Sequence, residues 1–287
     1  MSKIRKVVIP VAGLGTRLLP ATKAQPKEML PIVDKPIIQY IVEQAVAAGI
    51  SDVILVTGAT KRAIEDHFDR NEFLEDYLKK VGKTKAQKQI KELAELANFI
   101  FIRQKGPYGN GTPVLNAQEV VGDEPFAVVW GDDIWVCPKK PHLRQLMDVY
   151  EKYGDAVITT KLTDDEGTKK YGIIEGVQVE KDVYQVKAIY EKPGPKIKSR
   201  LASHGGYIFS PEIFSALKKT KLGRDNELWL VDAIAQMLKK RPIYAKVIDG
   251  TLFDPGSKLG WLKANVEFGL KDKEVGAEFK KFLKNKV

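Results

Sequence analysis

Only one cysteine and three histidines occur among the 287 residues. Cys137 therefore has no partner for an internal disulfide, and together with His67, His142 and His204 it makes a poor basis for a Cys/His zinc site, so it reads as structural. No apolar run approaches the roughly 18 residues that a membrane span requires. The opening "MSKIRKVVIP" also lacks the apolar segment of a signal peptide. These absences predict a soluble, cytoplasmic protein with no membrane partner. Internal repeats are missing, and the one biased tract is the lysine-rich "KKVGKTKAQKQIKELAE" from Lys79. Aromatic residues that could stack on bases are scarce in it, as they are in the tail "KKFLKNKV". The net charge of +10 is assigned there to solvated helix faces, and no nucleic-acid partner is predicted.

Two familiar nucleotide-binding patterns are missing as well. A dinucleotide fingerprint needs a third glycine at position 18, where this chain has Leu18, which disfavours an NAD-dependent dehydrogenase. A phosphate-binding loop of the form G-x-x-x-x-G-K-[ST] occurs nowhere.

What is present is ordinary globular composition, 44% hydrophobic and 29% charged, with a strict order of local patterns. Strand-like residues 4–11 are followed by the helical "IIQYIVEQAVAAG", then by "DVILVTG", a long helical stretch, "FIFIR" and "FAVVWGDD". The helix after Pro36 has apolar residues at 37, 38, 41, 42, 45 and 46 and stops at Gly49, as a crossover between parallel strands would. After "DAVITTKL" come the shorter pieces "YGIIEGVQV" and "YQVKAIYEKP". The fold class predicted is α/β: a Rossmann-like, mixed but mostly parallel central sheet flanked by helices, with a small antiparallel excursion.

The first strand feeds "AGLGTRLLPATKAQPKEMLP", which combines two glycines with Arg17, Lys23 and Lys27. Glycines let a backbone approach a ligand closely, free amides hold phosphate oxygens, and an arginine offers them a two-pronged fork. This is a cradle for a polyphosphate. Further along, "WGDD" delivers carboxylates to the end of a strand, where ligands of open α/β sheets bind, and such hard oxygen donors suit Mg2+. As neighbours on one strand, Asp132 and Asp133 would face opposite sides and not share an ion.

The run "AGLGTRLLPATKAQPKEMLPIVDKPIIQY" resembles the signature of the sugar-1-phosphate nucleotidylyltransferases, most specifically the bacterial-type UTP:glucose-1-phosphate uridylyltransferases. The likeness continues in "RQKGPYGNGTPVL", "FAVVWGDDI", "YGII", "YEKP", "GGYIFSPEI", "FDPGSKLGW" and "GAEFKKFL", and so spans nearly the whole chain. It implies the nucleotide-diphospho-sugar transferase type of fold. It also implies direct in-line attack of glucose 1-phosphate on the α-phosphorus of UTP, assisted by Mg2+, giving UDP-glucose and pyrophosphate. By this resemblance Ala12, Gly13, Gly15, Thr16, Arg17 and Lys27 bind the nucleotide, Gln104 reads the base, and Gly109 lies alongside. Gly172, Glu191, Lys192 and Gly205 bind the sugar phosphate, with His204 as a lining or a purely structural residue. Asp132 and Asp254 hold the metal, and Arg17, Lys27, Asp132 and Lys192 are the catalytic set. Residues 1–135 become a nucleotide-binding half, 136–256 a sugar-phosphate half and 257–287 C-terminal helices of a homodimer or homotetramer, all within one domain. Two stretches depart from the family pattern. Gly109-Asn110-Gly111-Thr112-Pro113 replaces the common G-L-G-H-A, and "ELWLVDAI" places Trp229 and Val231 where E-I-Q-L-T-D has Gln and Thr. They leave open a related enzyme with another base or another hexose 1-phosphate.

Overall fold

Nine strands form the main sheet of the computed structural model, which describes residues 3–286. In chain order they are β1 (Lys6–Pro10), β2 (Asp52–Thr57), β3 (Asn98–Arg103), β4 (Phe126–Val128), β5 (Val157–Leu162), β6 (Gly172–Glu180), β7 (Val183–Glu191), β8 (Leu201–Phe209) and β9 (Tyr244–Val247). Across the sheet the order is β3-β2-β1-β4-β8-β5-β9-β7-β6. The four strands at the β3 end are parallel, β8 is antiparallel to both of its neighbours β4 and β5, and β6 and β7 form the antiparallel excursion.

Parallel strands are buried on both faces, which explains why β1 and β2 read as unbroken apolar runs. Val7 and Ile9 pack on one side with Val53 and Leu55, while Val8 packs on the other with Ile54 and Val56. The helix Ile37–Ala47 covers the first side through Ile37, Ile38, Ile41, Val42 and Ala45, the spacing its sequence predicts. Helices Glu212–Lys219 and Leu230–Met237 cover the second.

One feature of the topology has no local signal. The N-terminal end of β8 pairs with β6, through Leu201, Ala202 and Ser203, as well as with β5. The ladders β8-β5-β9-β7-β6-β8 therefore close a five-stranded ring, so the excursion is anchored at both edges. The division at 135/136 runs through the short strand Ile134–Val136, which pairs with Thr251–Phe253. The helix Lys258–Lys271 also returns to the first residues of the chain: Trp261 Nε1 donates to the Pro31 carbonyl at 3.1 Å, and Asn265 accepts from the Val33 amide at 3.0 Å.

Candidate active site

The ends of β1, β2, β3 and β4 bring their following loops to one edge of the sheet. After β1, Ala12 packs against Gly58, and Gly13 and Leu14 stand open to solvent. Gly15 takes a left-handed φ of 68°, a conformation that favours glycine. Its carbonyl accepts the Thr22 hydroxyl at 2.7 Å, which folds the loop back on itself. Thr16 and Arg17 then begin a short 3-10 turn and face outward, while Leu18 is buried. The position that broke the dinucleotide pattern is thus a core residue. A cavity of about 530 Å3 opens beside this loop, lined in part by Gly13, Leu14, Thr22, Lys23, Lys61 and Arg62.

Asp132 does not lie on a strand. β4 ends at Val128, and Asp132 sits in a turn that Gly131 allows to tuck under β1: a Cβ at Gly131 would lie 2.7 Å from a Val11 methyl. This corrects the strand argument for Asp132 and Asp133, because a turn and not a pleat separates them. Asp132 meets Lys27 at 2.5 Å and Arg17 at 3.6 Å. Asp133 accepts from the Gly205 amide at 3.3 Å, and burial, with Asp132 and Asp254 beside it, pushes its carboxyl well above the usual range.

Asp254 arrives from the other end of the chain. The turn at Pro255-Gly256 lets the Gly256 amide donate to its Oδ1 at 3.0 Å, and Ser257 caps the helix Lys258–Lys271 that follows. Arg17 reaches Asp254 at 3.8 Å and bridges the two aspartates, with 60% of its own side chain exposed. A Cβ at Gly256 would stand 2.6 Å from an Asp132 oxygen, 2.8 Å from an Arg17 nitrogen and 2.9 Å from an Asp254 oxygen. The two carboxylates therefore lie within reach of one ion. Burial and then Asp132 raise the Asp254 carboxyl above its usual range. For Lys27 burial opposes the charge, but Asp132 and Glu28 outweigh it and its pKa is raised, so it remains an ammonium.

The remaining predicted residues lie around this cluster. The Gln104 amide continues the β3 ladder by donating to the Thr57 carbonyl at 2.8 Å, beside Gly58 and hence near Ala12. Gly109 has a local structural reason to be glycine: its φ is +118° and a Cβ would come within 2.4 Å of the Leu228 carbonyl oxygen. On the ring, Gly172 pairs with Glu191, and a Cβ there would sit 3.4 Å from Glu191 Oε2. Lys192 meets Glu191 at 3.4 Å and lies over the Trp229 ring. Among the described residues, the ion pair and the ring contact of its ammonium are with these two groups. At Gly205 an added Cβ would strike the Trp130 indole, so only its backbone is available to a ligand. His204 is buried, with its ring 4.5 Å from that of Tyr171.

A model of the nucleotidyl transferase family matches residues 6–266. The chain belongs to that family. Two UTP–glucose-1-phosphate uridylyltransferases of Bacillus subtilis are each 49% identical to it, over 99% of this chain and 96% or 97% of theirs. One from Staphylococcus epidermidis is 47% identical, covering 99% of both chains. Among solved structures, a UTP-bound UGPase from Acinetobacter baumannii superposes with a TM-score of 0.92 at 37% identity, over 98% of this chain and 99% of that one. A UDP-glucose pyrophosphorylase complexed with UDP-glucose gives 0.86 at 39% identity, over 94% and 100%.

Nucleotidyl transferases generally use Mg2+. Among the described residues there is no cluster of three or more His, Cys, Asp or Glu that could hold a metal. Two convergent carboxylates fit Mg2+ nonetheless, since this ion is commonly held by one or two carboxylates and completed by substrate phosphates and water.

Sequence reasoning missed three elements of this nucleotidyl transferase site. Lys61 and Glu28 form an ion pair at 2.8 Å, with only 4% and 1% of their side chains exposed, directly beneath the Arg17–Lys27 loop. The signal lay in "TGATKRAIE", a lysine between a strand and a helix start. Asn110 accepts the Leu230 amide at 2.8 Å and so satisfies the first turn of the helix Leu230–Met237. With the Gly111 amide on the Leu228 carbonyl at 2.9 Å, the two departing stretches prove to be docked on each other.

The buried histidines carry a pH consequence. Unfolded, each imidazole protonates near pH 6.5; folded, burial holds His142 down at about 3 and His204 at about 4. The unfolded chain then binds the extra protons, so stability falls as pH drops below 6.5, by up to ~1.4 kcal/mol per pH unit per histidine. His142 also bonds the Thr159 hydroxyl at 2.6 Å. A His142→Asn variant should be less stable at pH 7 yet lose less melting temperature between pH 7 and pH 5 than the parent; equal slopes would contradict this.

Proposed function

We propose that the chain transfers the uridylyl group of UTP to α-D-glucose 1-phosphate, releasing pyrophosphate and UDP-glucose. The observation that supports this most is the meeting of Arg17, Lys27, Asp132 and Asp254 beside the Gly13–Gly15 loop, in a chain nearly half identical to uridylyltransferases. Two polyanionic substrates repel each other strongly, and transfer between them depends chiefly on positioning and on charge stabilisation at phosphorus. In this reading the Ala12–Gly15 backbone and Thr16 cradle the triphosphate, while Arg17 forks onto its oxygens. Lys27 supplies a fixed ammonium to the reacting phosphate. Asp132 and Asp254 would hold Mg2+, which when bound would supply positive charge to the phosphates. Glu191 accepts sugar hydroxyls, Lys192 holds the sugar phosphate, and Gly172 leaves room at the ring. Gly205 acts there only through its backbone, and Gly109 shapes the loop next to the base.

Gln104 is assigned to the uracil edge. Gln104→Ala should narrow the preference for UTP over other nucleoside triphosphates more than it slows turnover; unchanged selectivity in competition assays would contradict that role. The reading as a whole is tested by pyrophosphate release across five nucleoside triphosphates and a panel of hexose 1-phosphates. UTP with glucose 1-phosphate should give the highest kcat/KM, and a clear preference for another pair would overturn the substrate assignment.

Two copies or four are proposed for the assembly. Leu259, Leu262, Val266 and Leu270 form an exposed stripe along one face of Lys258–Lys271, at the spacing of a helix-packing seam. Among the described residues no helix is long and apolar enough to cross a membrane. The highly charged substrates do not pass a bilayer unaided, so the cytoplasm is the proposed location.

A further inference from the structure

We propose that Trp229 is a positioning residue for Lys192, holding its ammonium ready for the sugar phosphate through the face of the indole ring. This rests on the reading of Lys192 as the cation that binds the sugar phosphate.

Lys192 leaves the end of β7 with a φ of +45°, a left-handed conformation that a lysine rarely adopts. Its amide donates to the Tyr171 carbonyl at 3.3 Å, so the backbone turn is held. The side chain is another matter, being half exposed on a flexible four-carbon stem with much rotamer freedom. Two groups restrict it. Glu191 Oε1 is 3.4 Å from the ammonium, and the centroid of the Trp229 ring is 5.6 Å from it, within the range of a cation–π contact. An indole face attracts positive charge without taking up an N–H in a lone-pair bond. An ammonium resting on it keeps donors available for phosphate oxygens.

The platform itself is fixed on several sides. Before Trp229, Leu228 is buried, its amide donating to the Tyr108 carbonyl at 2.8 Å and its carbonyl accepting the Gly111 amide at 2.9 Å. After it, Leu230 is buried and its amide is held by Asn110. The indole also lies close to the Gly223 backbone, where a Cβ would come within 2.7 Å of Trp229 Cδ1. A ring so placed can orient a mobile lysine, and the same segment ties that lysine to the 108–111 loop.

Steady-state kinetics on Trp229→Ala, Trp229→Phe, Lys192→Ala and the Trp229→Ala/Lys192→Ala double variant test this. Trp229→Ala should raise KM for glucose 1-phosphate about 3- to 10-fold, the factor a cation–π contact carries, with KM for UTP within about twofold of the parent. Trp229→Phe should recover most of the loss, and Trp229→Ala should add nothing once Lys192 is gone. If Lys192→Ala is crippled while Trp229→Ala binds sugar phosphate normally, the positioning role is overturned. It is equally overturned if Trp229→Ala raises both KM values alike or keeps its effect without Lys192, since the indole would then act on the fold. Near-normal turnover of Lys192→Ala would instead remove the reading of Lys192, and the proposal with it.

Discussion

Asp132→Ala should reduce turnover by at least about 100-fold while leaving the protein folded, because it removes the carboxylate that positions Lys27 and Arg17, and that would hold Mg2+, where negative charge develops on phosphorus. The expectation follows from where Asp132 stands. Its carboxylate meets Lys27 at 2.5 Å and Arg17 at 3.6 Å, and it comes close to Asp254 around Gly256. Its side chain is only 15% exposed, so its interactions are little screened. The turn that carries it is set by Gly131 against Val11 and does not depend on the carboxylate, which is why folding should survive. Pyrophosphate release measured with saturating substrates, alongside the circular dichroism and melting temperature of the same sample, checks the prediction. A folded variant with near-normal turnover would remove Asp132 from the reaction centre.

The largest effect on stability is expected at the buried pair beneath the loop. Lys61→Met should cost about 3–5 kcal/mol, because it strands a carboxylate that has almost no access to water. Burial already raises the Glu28 carboxyl above its ordinary range despite Lys61 and Lys27. Without Lys61 it should rise further, so the deficit should shrink as pH is lowered toward 5 and a neutral Glu28 becomes tolerable. Replacing both residues, Glu28→Met with Lys61→Met, should recover most of the stability, since a well-packed apolar pair often does as well as a buried ion pair. Chemical denaturation of the parent and the two variants reads these differences. A single variant within about 1 kcal/mol of the parent would show that the pair is not a buried ion pair in solution.

How far the sequence speaks depends on whether a feature is local. The two-sided apolar runs of β1 and β2 and the helix Ile37–Ala47 were legible because burial on both faces, or along one stripe, dictates composition residue by residue. Arg17, Lys27, Asp132 and Asp254 were named from motifs, and the structure brings them together. Their meeting could not be read from spacing, since the Gly256 turn lies more than a hundred residues beyond Asp132. The same limit hid the closure of β8 onto β6 and the docking of Asn110 and Gly111 on Leu228–Leu230, where both partners look like ordinary loop residues. The strand argument about Asp132 and Asp133 failed for a different reason. It extended the pleat of "FAVVWGDD" through a glycine that in fact turns the chain, and Gly131 was the available warning. Gly205 has a reason to be glycine that its sequence does not show, the close packing of the Trp130 indole.

The claim beneath all of this is that groups from distant parts of the chain act as one unit on one phosphorus atom. A double-mutant cycle on kcat/KM between Lys27→Met and Asp254→Asn tests it most directly, because the two residues come from opposite ends of the chain. Groups that act together should give a strongly non-additive cycle, with the double variant within about threefold of the slower single variant. Two losses that simply multiply would contradict the account, and would mean that Lys27 and Asp254 work at separate places.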